Sequence, residues 1–319
     1  MRIDPNYSKE FEYIARAYEQ AGGKTDSLLS KDMVSIIISG DKVLGKNSIE
    51  GVKIDYKTEG TSLKLWMSIA DNVKILKPVH MCVGFLEKYG EQNLEYYFDI
   101  GSNSEVSFLS HCSFPNAQKI KHSMVSHILA RSGSKVGYED VHFHNEEGWV
   151  DLNTDYLAEV GTGSSYSTRF RLTKTRVGSM KVLMSVDLAE DAKAFLETKV
   201  WARKDDKVDI NEIVNLNGKG ASGIAKTYVI AQDESQAKVV NEAYGNAPYS
   251  KGHIECTEIV KGNGVEVSTI PILKVKNELA ELTHEASVGR INALQLETLM
   301  AKGLTEEEAT ELIIRGFLT

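Results

Sequence analysis

From Met33 onward the chain alternates apolar and polar residues in short runs. Val34-Ile36-Ile38, Val52-Ile54-Tyr56 and Leu63-Leu65-Met67-Ile69 each put every second side chain on one face, the period of a half-buried β-strand. Gly40-Asp41, Gly51, Gly60 and Asp71-Asn72 punctuate these runs as turns. The texture continues to Lys276 and includes a strand-like run from Val265 to Lys276. One stretch departs from it. Between Gln118 and Ala130, residues Ile120, Met124, Val125, Ile128 and Leu129 share a face at helical spacing, which predicts a helix there.

The later half repeats loosely. Val186, Val200, Val214, Val229 and Ile259 centre strand-like runs about 14–15 residues apart, or a multiple of that. Even spacing of short strands suits a sandwich, a barrel or a solenoid. A parallel β-helix fits best, because stacked turns need no long crossovers and few prolines.

Helical patterns flank this region. Phe11, Ile14, Ala15 and Tyr18 form an i, i+3, i+4, i+7 stripe between Ser8 and Gln20, ended by Gly22-Gly23. Beyond Arg290, Asn292 with Gln295 and Thr305 with Glu308 have the spacing of helix N-caps. Gly303 and Gly316 stand where a glycine would end each helix. Leu296, Leu299 and Met300 then face Leu312, Ile313 and Phe317 across a short turn, with an apolar side left over. The expected fold is mainly β: a parallel β-helix (solenoid) core over residues 33–280. A short N-terminal helical segment (1–32) precedes it and a C-terminal helical hairpin (281–319) follows.

The formal net charge of −8 and the lack of a Lys/Arg run argue against a nucleic-acid surface. Thr168-Arg169-Phe170-Arg171 reads as the solvated face of a strand. Apolar runs such as Ile36-Ile37-Ile38 are far shorter than the roughly 20 residues of a membrane helix. The first residues show no apolar signal segment, so the expected location is cytoplasmic. Three cysteines, Cys82, Cys112 and Cys256, make a disulfide framework a poor explanation.

The densest chemistry lies late in the chain. Gly252-His253-Ile254-Glu255-Cys256 is followed, one strand-like run later, by His284-Glu285. Thiol, imidazole and carboxylate are soft, borderline and hard metal donors. His142-Phe143-His144 puts two imidazoles on one strand face, with no third ligand in view. His80 and Cys82 offer a weaker pair of the same kind. Other motifs fail. There is no P-loop, Tyr166 breaks the Gly161-Thr162-Gly163 loop, and His284-Glu285 lacks the second histidine of a zincin. Asp151 and Asp155 are the nearest candidates for the paired carboxylates of a carbohydrate-active β-helix enzyme.

Leu282-Thr283-His284-Glu285-Ala286-Ser287-Val288-Gly289-Arg290-Ile291 closely resembles the C-terminal signature of the SufB/SufD family, scaffolds of SUF-type iron–sulfur cluster assembly. So do Gln295-Leu296, Leu299-Met300-Ala301-Lys302-Gly303-Leu304, Glu306-Glu307-Glu308-Ala309 and Gly316-Phe317-Leu318. His111-Cys112-Ser113-Phe114-Pro115, through His122 to Tyr138, resembles a second SufB segment, with His111, Ser113 and Phe114 in place of Gly, Thr and Ala. The resemblance implies a compact SufB-like scaffold, not itself an enzyme, which builds a cluster and passes it to apo-proteins. It implies that Cys112 accepts sulfur from a donor, and that Cys256, Glu285 and His284 hold the cluster. It further implies a SufC-type ABC ATPase as partner, docked at the C-terminal hairpin through Leu299, Met300, Leu312 and Ile313. ATP would then act only through that partner. So few ligands for a 4Fe–4S cluster predict a homodimer within a two-plus-two complex. The alternative within the family is a SufD-like organiser without its own cluster. Cys82 is expected to be a core thiol.

Overall fold

The computed structural model describes residues 2–3, 8–22, 24–25 and 30–318. From Val79–Gly84 onward, successive strands alternate between two sheets, and each pairs in parallel with the strand one turn later where one follows. This is a parallel β-solenoid of about eight turns. Val186 pairs with Val214 in one sheet and Val200 with Val229 in the other. The repeat seen in the sequence, from Val186 to Val200 to Val214, is therefore half a turn, one strand in each sheet.

Inward side chains from both sheets make one continuous core from Val34 to Cys256. Outward positions carry the charge. Arg171 bridges Glu139 and Glu197 across three rungs while Thr168 and Phe170 point inward, so the Arg-rich stretch is a solvated strand face as expected.

The predicted helix at 118–130 does not form. Lys119–Ala130 is a strand with Ile120, His122, Met124, Ser126, Ile128 and Ala130 buried. Ile120, Met124 and Ile128 lie four apart, a spacing that satisfies a helix face and an alternating strand equally. The polar His122 and Ser126 between them masked the alternation.

The ends of the solenoid differ. At the N-terminal end, antiparallel pairing of Ser35–Ser39 with Lys42–Asn47, and of Val52–Glu59 with Ser62–Ile69, finishes the sheets. The helix Ser8–Ala21 packs Phe11, Ile14, Ala15 and Tyr18 over Ile37, Leu44 and Cys82. Gly22 follows it with φ 112°; Gly23, the other expected stop, lies outside the described residues. Cys82 is buried there on the outer face of its sheet, a core thiol. At the C-terminal end, Glu266–Val275 and Glu281–Gly289 are the outermost strands of their sheets. Glu281–Gly289 still stacks in register on Lys251–Lys261, so the core runs one rung past the expected boundary at 280.

Two helices follow, Ala293–Met300 and Glu306–Leu318. Asn292 caps the first by accepting from the Leu294 and Gln295 amides. Thr305 and Glu308 cap the second reciprocally. Gly303 stands between them at φ 100°. Gly316, however, lies inside the last helix, because Ile314 and Leu318 on either side of it pack on Ile230 and hold that turn. No helix of the described residues is long and apolar enough to cross a membrane.

Candidate functional site

Polar side chains gather on the solenoid axis in two compartments. In the C-terminal one, Cys256 sits on Lys251–Lys261 with Gly252, Ile254 and Glu258 on the same inward face. Gly252 admits the next rung, since a Cβ there would lie 2.7 Å from Leu282 Cδ2. Register stacks Thr198, Thr227, Cys256 and Ala286 in one column. Across the axis, Glu212 stacks on Asn241. Its carboxylate accepts from Thr198 Oγ1 at 2.6 Å, Thr227 Oγ1 at 2.8 Å and Asn241 Nδ2 at 2.6 Å.

Burial dominates the electrostatics. It pushes the Cys256 thiol up to about 12, while the Thr269 hydroxyl pulls it down and Glu258 and Glu212 add to the rise. Burial likewise pushes Glu212 and Glu258 up to about 7. Neither Glu258 oxygen makes a close hydrogen bond, though the Thr269 hydroxyl is near enough to pull its carboxyl down against burial. This leaves a buried carboxyl one step along the strand from the thiol, roughly 7 Å. Sequence reasoning missed Glu258; its signal is the Cys-x-Glu spacing in an alternating strand.

The expected companions of Cys256 divide between two faces. His284 pairs with Ile254 and shares the inward face of Cys256. Glu285 pairs with Glu255; Glu255 is bound on the outer face by Lys226 and Tyr228. Glu285 therefore points away from the thiol. Both residues lie within the exposed terminal strand, not at the start of the helical tail.

Cys112 lies on the same sheet five rungs away, through the strands containing His142, Arg171, Val200, Val229 and Glu258, or roughly 24 Å along the axis. It is fully buried in the second compartment. Its Sγ donates to Asp140 Oδ1 at 3.5 Å and lies 3.7 Å from Ser110 Oγ. Asp140 Oδ2 lies 3.3 Å from His142 Nε2 and accepts from the Tyr156 hydroxyl. His142 Nδ1 meets His144 Nε2 at 3.3 Å. Burial and the Asp140 charge hold the Cys112 thiol well above its ordinary value. Burial pushes Asp140 up too, but His142, Tyr156 and Ser110 outweigh it and leave the carboxyl below the usual range. The two-imidazole pair seen in the sequence thus gains Cys112 and Asp140 as neighbours.

Phe170, Leu172, Met184 and Val200 separate the compartments. His80 is engaged by the Tyr18 hydroxyl at 2.7 Å. Asp151 accepts from Trp149 Nε1 and lies four residues from Asp155 on one strand, roughly 13 Å, beyond the separation of a glycosidase pair.

The helical hairpin covers the outer face of the sheet that carries Cys256. Ile314 and Leu318 pack on Ile230, beside Trp201, Ile259, Ile291 and Phe317. A groove between the two helices is lined by Leu299, Leu312, Ile313 and Phe317. Leu294 and Leu312 are exposed along it, and Met300 is exposed outside that lining.

The fold defines the class: a parallel β-solenoid with two buried thiols on its axis. Residues 89–317 match the model of the SufBD core domain of the SUF iron–sulfur cluster assembly system. An iron–sulfur cluster assembly SufBD family protein of Pyrococcus horikoshii is 47% identical over 318 residues, covering 100% of this chain and 96% of the relative. A protein of the same description from Methanocaldococcus jannaschii is 36% identical over 310 residues, covering 97% and 98%. The iron–sulfur cluster assembly protein SufB of Bacillus subtilis is 24% identical over 225 residues, covering 69% of this chain and 47% of that protein. The chain belongs to the SufBD family, whose work is iron–sulfur cluster assembly.

Proposed function

We propose that this chain is the scaffold on which a cluster is built, at the uncapped C-terminal end of the solenoid. The observation that carries this reading is the position of Cys256: the last inward-facing thiol before the stack ends, with His284 on the same face of the exposed final strand. Sulfide-bridged iron prefers thiolate, and the thiolate forms when iron displaces the proton. Glu258 offers a hard oxygen donor on that face, and its poor hydrogen bonding leaves it available. Glu285 enters the ligand set on family resemblance, from the opposite face of the strand.

One thiol is too few for a 4Fe–4S cluster, so a second copy completes the site. Both terminal strands present free edges, the geometry that invites pairing, and a two-fold contact there would bring two copies of Cys256 toward one interface. Cys112 is the proposed sulfur acceptor; its burial requires the solenoid to open locally before a donor can reach it.

Anaerobic reconstitution with iron and sulfide, followed by absorption and Mössbauer spectra and a native mass, tests this. The wild type should hold its cluster as a dimer, and Cys256→Ala should reduce cluster to background with a native circular dichroism spectrum. His284→Ala and Glu285→Ala rank the remaining ligands. A cluster retained in full by Cys256→Ala, or held by a monomer, overturns the reading; a wild type that never holds one points to a SufD-like organiser.

ATP dependence would come from a SufC-type ATPase docked in the groove between the C-terminal helices. Charged substitutions at Leu299, Met300, Leu312 and Ile313 should abolish co-purification with the ATPase while leaving the solenoid folded. Undiminished pull-down by the quadruple variant would place the docking surface elsewhere.

A further inference from the structure

We propose that Cys112 Sγ, the Asp140 carboxylate and His142 Nε2 form a buried mononuclear site for a divalent metal of borderline softness, zinc or ferrous iron, inside the solenoid and separate from the cluster site.

Three observations support it. The first is distance. The three ligand atoms lie within 4.8 Å of one another, with Cys112 Sγ to Asp140 Oδ1 at 3.5 Å and His142 Nε2 to Asp140 Oδ2 at 3.3 Å. A tetrahedral ion with metal–sulfur, –nitrogen and –oxygen bonds of about 2.3, 2.05 and 2.1 Å sets sulfur–oxygen and nitrogen–oxygen pairs about 3.6 and 3.4 Å apart. The two contacts here reach different oxygens of one carboxylate, and a small rotation of that carboxylate would bring one oxygen to both partners.

The second is the direction of the lone pairs. The Arg176 carbonyl, 3.2 Å from His144 Nδ1, can only accept, so His144 carries its proton on Nδ1. His144 Nε2 then accepts from His142 Nδ1–H, which turns His142 Nε2 toward Asp140 Oδ2. The two atoms lie 3.3 Å apart, and either a proton or a metal ion between them joins the pair. The relay from the Arg176 carbonyl through His144 also fixes the tautomer and angle of His142, as outer partners of metal-bound histidines do.

The third is charge. Asp140 is fully buried, and its hydrogen-bond partners include no lysine or arginine among the described residues. When a divalent ion binds, the Cys112 S–H proton leaves to solvent and thiolate and carboxylate together balance the +2 charge. The site becomes neutral, which a low-dielectric interior favours. His122 supplies a further donor in the compartment, since its buried Nε2 has no hydrogen-bond partner and its ring lies 6.1 Å from that of His142. A filled site would occupy the sulfur of Cys112, so metal and sulfur would compete for this thiol.

The test uses the full chain carrying Cys256→Ala, which lacks the thiol of the proposed cluster site, so its outcome does not depend on that reading. The protein is unfolded, refolded with Co2+ or Zn2+ alone, and treated with chelator. Metal content and the thiolate-to-cobalt charge-transfer band are then read, with far-ultraviolet circular dichroism confirming the fold. About one chelator-resistant metal per chain is expected, because the ligands lie inside the core. The near-isosteric Cys112→Ser, Asp140→Asn and His142→Gln changes should each lower it at least tenfold. A natively folded Cys256→Ala chain that retains no metal overturns the proposal and leaves a plain Asp140–His142 ion pair. Metal retained in full by folded Cys112→Ser and His142→Gln overturns it as well.

Discussion

Phe170→Ala should destabilise the protein by about 3–5 kcal/mol, the usual cost of emptying a large aromatic site in a packed core. Phe170 is fully buried, its ring centroid 4.9 Å from that of His142, and it stands in register between Asp140 and Thr198. It is the plug between the two polar compartments. Removing it loses apolar contact and leaves a cavity with polar walls at both ends, which water can enter. In a solenoid each rung is held chiefly by its neighbours, so a weakened rung in mid-stack separates two blocks that otherwise unfold together. Urea unfolding followed by circular dichroism and by tryptophan fluorescence should give coincident transitions in the wild type and divergent ones in the variant. A variant within about 1 kcal/mol of wild type, with coincident transitions, would show that the axis is not packed at this point.

That plug also explains which parts of the molecule could be read from the sequence. The outward faces obey simple alternation, and so do the inward faces wherever they are apolar. Stacking shows in the sequence as a repeat of half a turn, since Val186 meets Val214 and Val200 meets Val229 only on the next rung. What hides from pattern reading is polarity on the axis. His122 and Ser126 point inward, and their presence turned a strand into an apparent helix. Asp140 was invisible for the same reason, although Asp140, His142 and His144 share one face by period two. Doubling the half-turn repeat places Cys112 and His142 side by side on adjacent rungs, where they pair.

The C-terminal candidate residues are legible in composition but not in direction. The sequence sets Cys256, His284 and Glu285 two strands' length apart without their faces, and a one-residue difference in parity sends Glu285 to the outer face. The end of the tail was misplaced because Gly316 has the composition of a helix stop, while the surface that keeps its turn helical comes from Ile230, far away in sequence.

The compartment around Cys256 should make stability depend on pH in an unusual sense. Burial pushes Glu212 up to about 7 from an ordinary 4.5, so between those values the folded chain keeps a proton that the unfolded chain has released. Stability falls with rising pH wherever the native state binds more protons. The contribution of protonated Glu212 is therefore complete below about pH 4.5, declines through the interval, and is gone above about 7. A shift of that size corresponds to about 3 kcal/mol, and Glu258, also pushed up to about 7 by burial, acts in the same sense. Urea midpoints should drop between pH 5 and pH 7.5, against the common trend in which paired carboxylates strengthen a fold as they ionise. Glu212→Gln cannot ionise and should flatten that slope, at some cost at low pH because its amide N–H2 meets the Thr198, Thr227 and Asn241 donors. An unchanged slope in Glu212→Gln would mean that the ionised carboxylate is tolerated there, held by its three donors alone. A flattened one would also bear on the thiol: Glu212 raises the pKa of Cys256 when charged, so its proton keeps negative charge away from the place where a thiolate must form.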